Sequence, residues 1–175
     1  MQNLEDNVSS GLDINESLKQ LSGFIEQLKS MKPPVYCSHQ LINTVLRAYD
    51  KRAEEYDIDM DIHVDLTERF DINETEFAVV LSNALNNAVD ACLALSENEP
   101  RSISVRLTSR SGQIAAEVTN TFDGNVDFDD NHIPVSAKGH GHGMGTRSMN
   151  TFSVNNGGTL DFSCEGNMFT VRLLV

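Results

Sequence analysis

The chain has 175 residues, enough for one ordinary domain with a sizeable core and a short appendage. Its formal net charge of −13 argues against a nucleic-acid-binding protein, because phosphate backbones are bound by clustered Lys and Arg. No apolar run approaches the roughly 18 residues that a membrane span needs. Cys37, Cys92 and Cys164 are predicted to be reduced core thiols of a cytosolic protein.

A first helix is predicted over residues 14–30, where apolar side chains recur at spacings of three and four residues. These side chains are Ile14, Leu18, Leu21, Ile25 and Leu28. A seam of two heptads favours pairing with another helix, although a helix that packs on its own domain shows the same pattern. Pro33 and Pro34 then end the helix and predict a linker.

A second helix is predicted over residues 39–55, with Ser38 as its N-cap, from the apolar residues on one of its faces. Residues 58–66 alternate between apolar and polar and predict a strand, with His63 on its solvent side. A third helix is predicted over residues 74–96, after an acidic start that suits a helix N-terminus.

Four further strands are predicted, at residues 102–108, 113–121, 158–164 and 168–175. Before the last two strands come a long loop over residues 122–143 and a helix near 145–155. Loops of that length inside a compact domain are usually functional. The order of the elements predicts an α+β fold, a two-layer α/β sandwich with helices on one face of a mixed, mainly antiparallel sheet.

The third helix contains LSNALNNAVDAC, residues 81–92, which combines an apolar face with a polar stripe. The apolar face is predicted to comprise Phe77, Val80, Leu81, Ala84, Leu85, Ala88 and Cys92. Asn83, Asn87 and Asp90 share the stripe at helical spacing, with Asn86 beside them. Asn costs roughly 0.6 kcal/mol against Ala in a helix, so three of them suggest a ligand site rather than a solvated surface. Their neutral oxygens would suit Mg²⁺ with a triphosphate.

A second distinctive stretch is SAKGHGHGMGTRSM, residues 136–149, which has glycine at alternate positions. Three interpretations present themselves: a metal site on His140 and His142, a flexible tether, and a backbone cradle for phosphate. A structural metal site needs about four ligands, and neither a Cys nor a third His lies nearby in the sequence. The metal site is therefore disfavoured, and the residues alone leave the other two open.

Together the two stretches resemble the N box and the G2 box of the GHKL ATP-binding superfamily, which includes gyrase, Hsp90, MutL and the sensor histidine kinases. LSNALNNAVDAC is similar to the LxNxLxNAxxA box of the peptide-sensing (quorum-sensing) histidine kinases, and GHGMGTRSM to a GHGxGLKSI-like pattern that includes His142. The resemblance covers roughly residues 36–175. It implies the Bergerat ATP-binding fold, and it implies that the glycine stretch is a phosphate cradle in which His140 is incidental.

The resemblance further implies that ATP and Mg²⁺ are the ligands. Asn87 would hold Mg²⁺, and Asn83 would face the same phosphates. Hydrolytic relatives have a glutamate in place of Asn83 to activate water, so this sequence favours the kinase branch. Arg147 would add a contact or lie at the surface. The full ATP-binding set implied by the family is Asn83, Asn87, Asn120, Lys138, Gly141, His142, Gly143, Gly145 and Arg147.

The adenine contact departs from the family pattern. Asn120 stands where most relatives have an Asp that binds the adenine amino group, and an Asn oxygen can accept the same hydrogen bond. Asp123, followed by Gly124, is the rival for this role. Residues 122–143 would form the lid over ATP, in which Lys138 would reach the terminal phosphate or stay solvated.

The resemblance implies a histidine protein kinase that transfers the γ-phosphoryl group of ATP to a histidine outside this sequence. Residues 1–34 would be the tail of a dimerisation helix with its proline linker, and residues 35–175 the catalytic domain. Nothing resembles the RHDFHNH segment of the phosphoacceptor, and His39 is disfavoured for that role, so this fragment alone is expected to be inactive. The whole protein is expected to be a homodimeric, membrane-anchored sensor with a cytoplasmic kinase domain and a response regulator as partner.

Two other functions stay open. An anti-sigma-type Ser/Thr protein kinase shares the fold, but it normally lacks a preceding dimerisation helix. A degenerate module that binds no nucleotide and only dimerises and regulates is favoured by Asn120 in place of Asp, whereas the intact asparagine and glycine boxes argue against it.

Overall fold

In this computed structural model of the protein, the described residues are 18–19, 21–22, 34–129, 132–135 and 144–175. The chain divides into two compact units, Met1–Pro34 and Val35–Val175. In the first unit, residues 18–19 and 21–22 are helical, and the rest of the helix predicted over residues 14–30 lies outside the described residues. The helices and strands that form the fold belong to the second unit.

Three helices form one layer of the second unit. They are α1 (Gln40–Glu55), α2 (Glu74–Ala94) and α3 (Met144–Asn155). Helix α2 packs against both of the others. It begins after Asn73, whose side-chain oxygen accepts hydrogen bonds from the backbone N–H groups of Thr75 and Glu76. Glu74 and Glu76 then place negative charge at the positive end of the helix dipole.

The start of α1 differs from the prediction. His39, not Ser38, is the N-cap, and its carbonyl accepts the first helical hydrogen bond, from the N–H of Asn43. The His39 side chain makes no capping bond. Instead, the Asn43 side-chain oxygen accepts from the N–H groups of Tyr36 and Cys37 at 2.8 and 3.4 Å. The side chain that fixes the backbone before α1 is therefore that of Asn43, which lies inside the helix, and Ser38 is not needed as a cap.

Five strands form the main sheet: β1 (Asp59–Asp65), β2 (Ser102–Arg110), β3 (Gln113–Thr121), β6 (Thr159–Glu165) and β7 (Met168–Leu174). Their order across the sheet is β1-β2-β3-β7-β6. Strands β1 and β2 are parallel, and the other neighbouring pairs are antiparallel. The predicted α+β sandwich with a mixed, mainly antiparallel sheet is confirmed.

The segment predicted as an irregular loop over residues 122–143 contains a small hairpin. Strand β4 (Asp127–Phe128) pairs antiparallel with β5 (Pro134–Val135), and this hairpin is separate from the main sheet. The Asp129 side chain accepts a hydrogen bond from the N–H of Ile133 at 2.9 Å across the turn. The segment is therefore partly ordered by local pairing.

Helix α2 supplies the centre of the core. Every residue of its predicted apolar face is buried: Phe77, Val80, Leu81, Ala84, Leu85, Ala88 and Cys92. By length and composition alone α2 is apolar enough to cross a membrane, contrary to the expectation from its sequence, but half of its apolar window is buried inside this unit. Its packing makes it the core helix of an α+β domain.

The three cysteines have different environments, and each is free. Cys92 is buried, and that burial raises the pKa of its thiol. Cys37 is half-buried, whereas Cys164 is exposed, so the prediction of three core thiols is wrong for Cys164. Cys164 lies next to the last residue of β6, the edge strand of the sheet, where only one neighbouring strand shields it.

The turn between α3 and β6 brings two backbone segments unusually close together. Gly157 has a φ of +65°, a conformation that favours glycine. At Gly158, a Cβ atom would clash with the backbone carbonyl oxygen of Leu174 and with the side chain of Val175. The packing of this turn on the end of β7 therefore requires glycine at position 158.

Candidate active site

The predicted polar stripe of α2 has two flanks that differ in their hydrogen bonding. Asn83 is half-buried and Asn87 is exposed. Within the described ranges, neither side chain has a hydrogen-bond partner. Asn86 and Asp90, by contrast, are tied to helix α1. The stripe therefore has a free flank, formed by Asn83 and Asn87, and a bound flank, formed by Asn86 and Asp90, which is bound to helix α1.

The bound flank is held by Arg52 of α1. Its Nη1 donates a hydrogen bond of 2.9 Å to Asn86 Oδ1, and its Nη2 lies 3.6 Å from Asp90 Oδ1. Asn86 Nδ2 in turn lies 3.5 Å from Asp90 Oδ2. Arg52 was not among the predicted site residues, because no local sequence pattern indicates which residue of α1 faces α2.

On the free flank, Asn83 lies beside the start of helix α3. A Cβ atom added to Gly145 would lie 3.5 Å from Asn83 Cβ and 3.7 Å from Asn83 Oδ1, which is van der Waals contact. The first N–H groups of a helix have no partner inside the helix and carry its positive partial charge. The fold therefore brings two predicted site residues, Asn83 and Gly145, together at a helix end that suits phosphate.

Helix α3 is fixed in this position by apolar packing on α2. The rings of Phe77 and Phe152 lie 6.3 Å apart, and Met149 is buried beside them in the core. Arg147 is exposed in the first turn of α3 and forms no ion pair with any described residue. Its positive charge is therefore available next to the same helix end.

Asn120 is almost completely buried near the end of β3, between Ile103 of β2 and Phe169 of β7. Its Nδ2 donates a hydrogen bond of 2.9 Å to the carbonyl oxygen of Thr121. This bond fixes the amide so that its oxygen is the free end, and that oxygen has no partner among the residues described. A free acceptor on an otherwise buried side chain suits the amino group of adenine.

Asp123, the alternative residue for the adenine contact, stabilises a turn. It is exposed, and its Oδ1 accepts a hydrogen bond of 3.0 Å from the N–H of Asn125. Gly124, inside this turn, has a φ of +81°. Because an Asx turn already explains Asp123, the geometry favours Asn120 for the adenine contact.

Comparison with known protein families matches residues 72–175 to the GHKL domain. The chain belongs to the GHKL family. No curated protein is similar enough in sequence to match it. The prediction of a GHKL ATP-binding domain that resembles histidine kinase catalytic domains is confirmed by this match and by the fold.

Solved structures show the same fold at low sequence identity. The catalytic domain of histidine kinase ThkA is 16% identical with a TM-score of 0.59, covering 78% of this chain and 90% of that one. Acinetobacter baumannii histidine kinase AdeS is 14% identical with a TM-score of 0.56, covering 99% and 82%. Full-length ShkA, solved in complex with AMPPNP, is 17% identical with a TM-score of 0.60, covering 81% of this chain and 30% of ShkA.

Several predicted site residues of this GHKL domain lie outside the described residues. They are Lys138, Gly141, His142 and Gly143. The described ranges also contain no group of three His, Cys, Asp or Glu side chains that would hold a metal ion. A magnesium site in the described part would therefore need ligands beyond such a cluster, for example neutral amide oxygens and the ligand's own phosphates.

His39, the residue disfavoured as phosphoacceptor, has structural contacts at the entry to α1. Its ring lies 4.8 Å from the ring of Phe70, and its Nδ1 is 3.5 Å from Glu74 Oε2. Glu74 Oε1 also accepts a hydrogen bond from the N–H of Leu41. These contacts link the start of α1 to the start of α2.

Proposed function

We propose that this GHKL domain is the ATP-binding catalytic domain of a histidine protein kinase of the peptide-sensing type. It would donate the γ-phosphoryl group of ATP to a histidine outside residues 1–175. The observation that supports this most directly is the free flank of α2. There, Asn83 and Asn87 offer amide oxygens without a partner in the described part of the chain, and Asn83 lies beside the amide-rich start of α3.

The donors fit a magnesium–triphosphate ligand. Asn87 is exposed and supplies a hard, neutral oxygen for Mg²⁺ without adding negative charge beside the phosphates. Asn87 would hold Mg²⁺, and the bound ion would supply positive charge to offset the charge that develops on the phosphates. The first amides of α3 would bind phosphate oxygens, with Gly145 allowing close approach and Arg147 adding positive charge. Lys138, Gly141, His142 and Gly143 are proposed to complete the lid and the cradle.

Adenine selectivity would come from Asn120. Because Nδ2 is already bound to the carbonyl oxygen of Thr121, the oxygen would accept a hydrogen bond from the exocyclic amine of adenine. Guanine carries a carbonyl oxygen at the corresponding ring position, so two acceptors would face each other at a buried site. Buried polar groups without partners are costly, and the site should therefore reject GTP.

The absence of a carboxylate at position 83 argues for phosphoryl transfer rather than hydrolysis. An amide cannot take a proton from water, so Asn83 cannot act as a general base. Nucleotide bound here would be hydrolysed slowly and would react with a histidine nucleophile that a partner region presents. In the whole protein, residues 1–34 would contribute to a homodimer. The domain would act on the cytoplasmic side of a membrane-bound sensor that signals to a response regulator.

The first experiment is a calorimetric titration of residues 1–175 with a non-hydrolysable ATP analogue, with and without Mg²⁺, and with GTP for comparison. We expect saturable binding that Mg²⁺ strengthens and that GTP does not reproduce. No binding would overturn the proposal and favour a regulatory module without nucleotide.

A second experiment tests phosphoryl transfer in the longer protein. Labelled ATP should place acid-labile phosphate on an upstream histidine, whereas residues 1–175 alone should remain unlabelled. Acid-stable phosphate on a separate substrate protein would favour the anti-sigma-type Ser/Thr kinase instead.

A further inference from the structure

Asp90 poses an electrostatic problem for the proposed nucleotide site. It follows Asn87 by three residues on α2, so the two side chains are neighbours on the helix surface. A carboxylate at that position would repel the triphosphate and would compete with Asn87 for Mg²⁺. The chain already carries a net charge of −13, which provides no general attraction for an anionic ligand.

Arg52 of the neighbouring helix α1 offsets the negative charge of Asp90. Its guanidinium contacts Asn86 at 2.9 Å and Asp90 at 3.6 Å, and the side chains of Arg52 and Asp90 are only 34% and 36% exposed. Arg keeps its charge at any physiological pH, and its planar fork can engage two acceptors at once. Partial burial strengthens the attraction relative to a fully solvated pair.

The Arg52 side chain is itself held in place. Its guanidinium carbon lies 5.9 Å from the ring centre of Tyr49, one turn earlier on α1. The Tyr49 hydroxyl lies 3.0 Å from the carbonyl oxygen of Ser82 and 3.1 Å from its Oγ. Both residues therefore anchor α1 to the half of α2 that carries the asparagines.

We propose that Arg52 is a positioning residue of the nucleotide site. By offsetting the charge of Asp90 and holding Asn86, it leaves the flank of α2 around Asn87 electrically suited to Mg²⁺ and triphosphate. Arg52 acts through α2 and does not touch the ligand. This inference rests on the proposed function, because it assigns a role at the same site.

The test is a double-mutant cycle on residues 1–175, read as affinity for a Mg²⁺-bound non-hydrolysable ATP analogue. Arg52→Ala should weaken binding about tenfold, because the guanidinium that offsets the charge of Asp90 is then gone. In the Asp90→Asn background, which lacks that charge, Arg52→Ala should weaken binding of the analogue by less than about threefold. The loss in the single variant should also shrink at high salt, since salt screens the repulsion by Asp90.

Arg47→Ala is the matched control. Arg47 is exposed on the same helix and has no ion pair within the described residues, so its removal changes the net charge equally. The Arg47→Ala variant should bind the ATP analogue with the same affinity as the unmodified chain. Thermal unfolding of each variant should be measured alongside, because a purely structural Arg52 would lower stability without any salt-dependent loss of affinity.

The outcomes separate this inference from the proposed function. If the unmodified chain fails to bind the analogue, the proposed function falls and the role of Arg52 falls with it. If the unmodified chain binds but Arg52→Ala binds equally well, only the role of Arg52 is overturned. An equal loss with and without the Asp90→Asn substitution would also overturn it, because the effect would then not pass through the carboxylate.

Discussion

Helix α2 meets its two neighbouring helices in different ways. Beside the buried apolar residues of α1, the junction with α1 has polar contacts, with Arg52 bound to Asn86 and Asp90 and the Tyr49 hydroxyl close to Ser82. Its junction with α3 is apolar in the core, and at its open end a glycine lies against Asn83. Polar groups at the first junction are satisfied by the protein, whereas those at the second are proposed to bind a ligand.

The comparison shows that residue type alone does not decide the role of an asparagine. Asn86 and Asn87 are adjacent in the sequence, yet one is bound to α1 and the other is exposed without a partner in the described ranges. Adjacent residues on a helix point about 100° apart. That rotation is enough to turn a ligand group into a structural one.

The largest effect is expected from a substitution that disrupts the apolar packing of α2 on α3. Phe77 is fully buried and packs on Phe152, so Phe77→Ala should lower the free energy of unfolding by about 3–5 kcal/mol. Chemical denaturation measures this change. Val79→Ala, at an exposed position of the same helix, should stay within about 0.5 kcal/mol of the unmodified chain. Equal stability of both variants would contradict the assigned core.

The next effect separates the two adjacent asparagines. Asn87→Ala should weaken Mg²⁺-dependent nucleotide binding about 100-fold, because it removes the proposed metal ligand. Asn86→Ala should instead lower the free energy of unfolding by about 1–2 kcal/mol, since a hydrogen bond from a charged group is lost, and should keep the Mg²⁺ dependence. Calorimetry and denaturation distinguish the two. Unchanged Mg²⁺ dependence in Asn87→Ala would remove Asn87 from the site.

A smaller effect tests the open end of the α3 junction. A Cβ atom at Gly145 would only touch Asn83, but the two methyl groups of Val would push against it. Gly145→Val should therefore weaken nucleotide binding about tenfold by displacing Asn83, and Gly145→Ala should cost less. The titration described above measures both variants. Equal affinities for Val and Ala would mean that this contact does not position Asn83.

The smallest effect concerns the polar junction with α1. Tyr49→Phe removes the hydroxyl near Ser82 but keeps the ring beside Arg52, so stability should fall by about 1 kcal/mol with nucleotide affinity unchanged. Tyr56→Phe is the control, because the exposed Tyr56 hydroxyl has no bond within the described chain. A loss of affinity in Tyr49→Phe would show that the hydroxyl itself supports the site.

Local patterns in the sequence were sufficient to predict the fold class. The apolar face of α2 follows the helical period, and every residue predicted for it is buried. The strands of the main sheet follow a period of two, which places β1 and β2 close to their predicted bounds. The hairpin β4–β5 was not predicted, because strands of two residues are too short to show any period.

The site was predictable only where its residues share one helix. Asn83 and Asn87 lie one turn apart, so periodicity places them on one flank. Arg52 reaches Asn86 across 34 residues of chain, and no local pattern encodes which helices pack together. The exposure of Cys164 was missed for a related reason, since alternation predicts the face of a strand but not its place at the edge of a sheet.

The crowding at Gly158 affects how the results of a mutational scan of this domain should be interpreted. Every substitution there would introduce a Cβ against Leu174 and Val175, so the position should look as intolerant as the glycines that are proposed to bind phosphate. A screen scored by growth or signalling would not separate the two kinds of glycine. A screen scored by protein abundance would, because variants at Gly158 would lose folded protein, whereas variants of the phosphate cradle would accumulate as inactive domains.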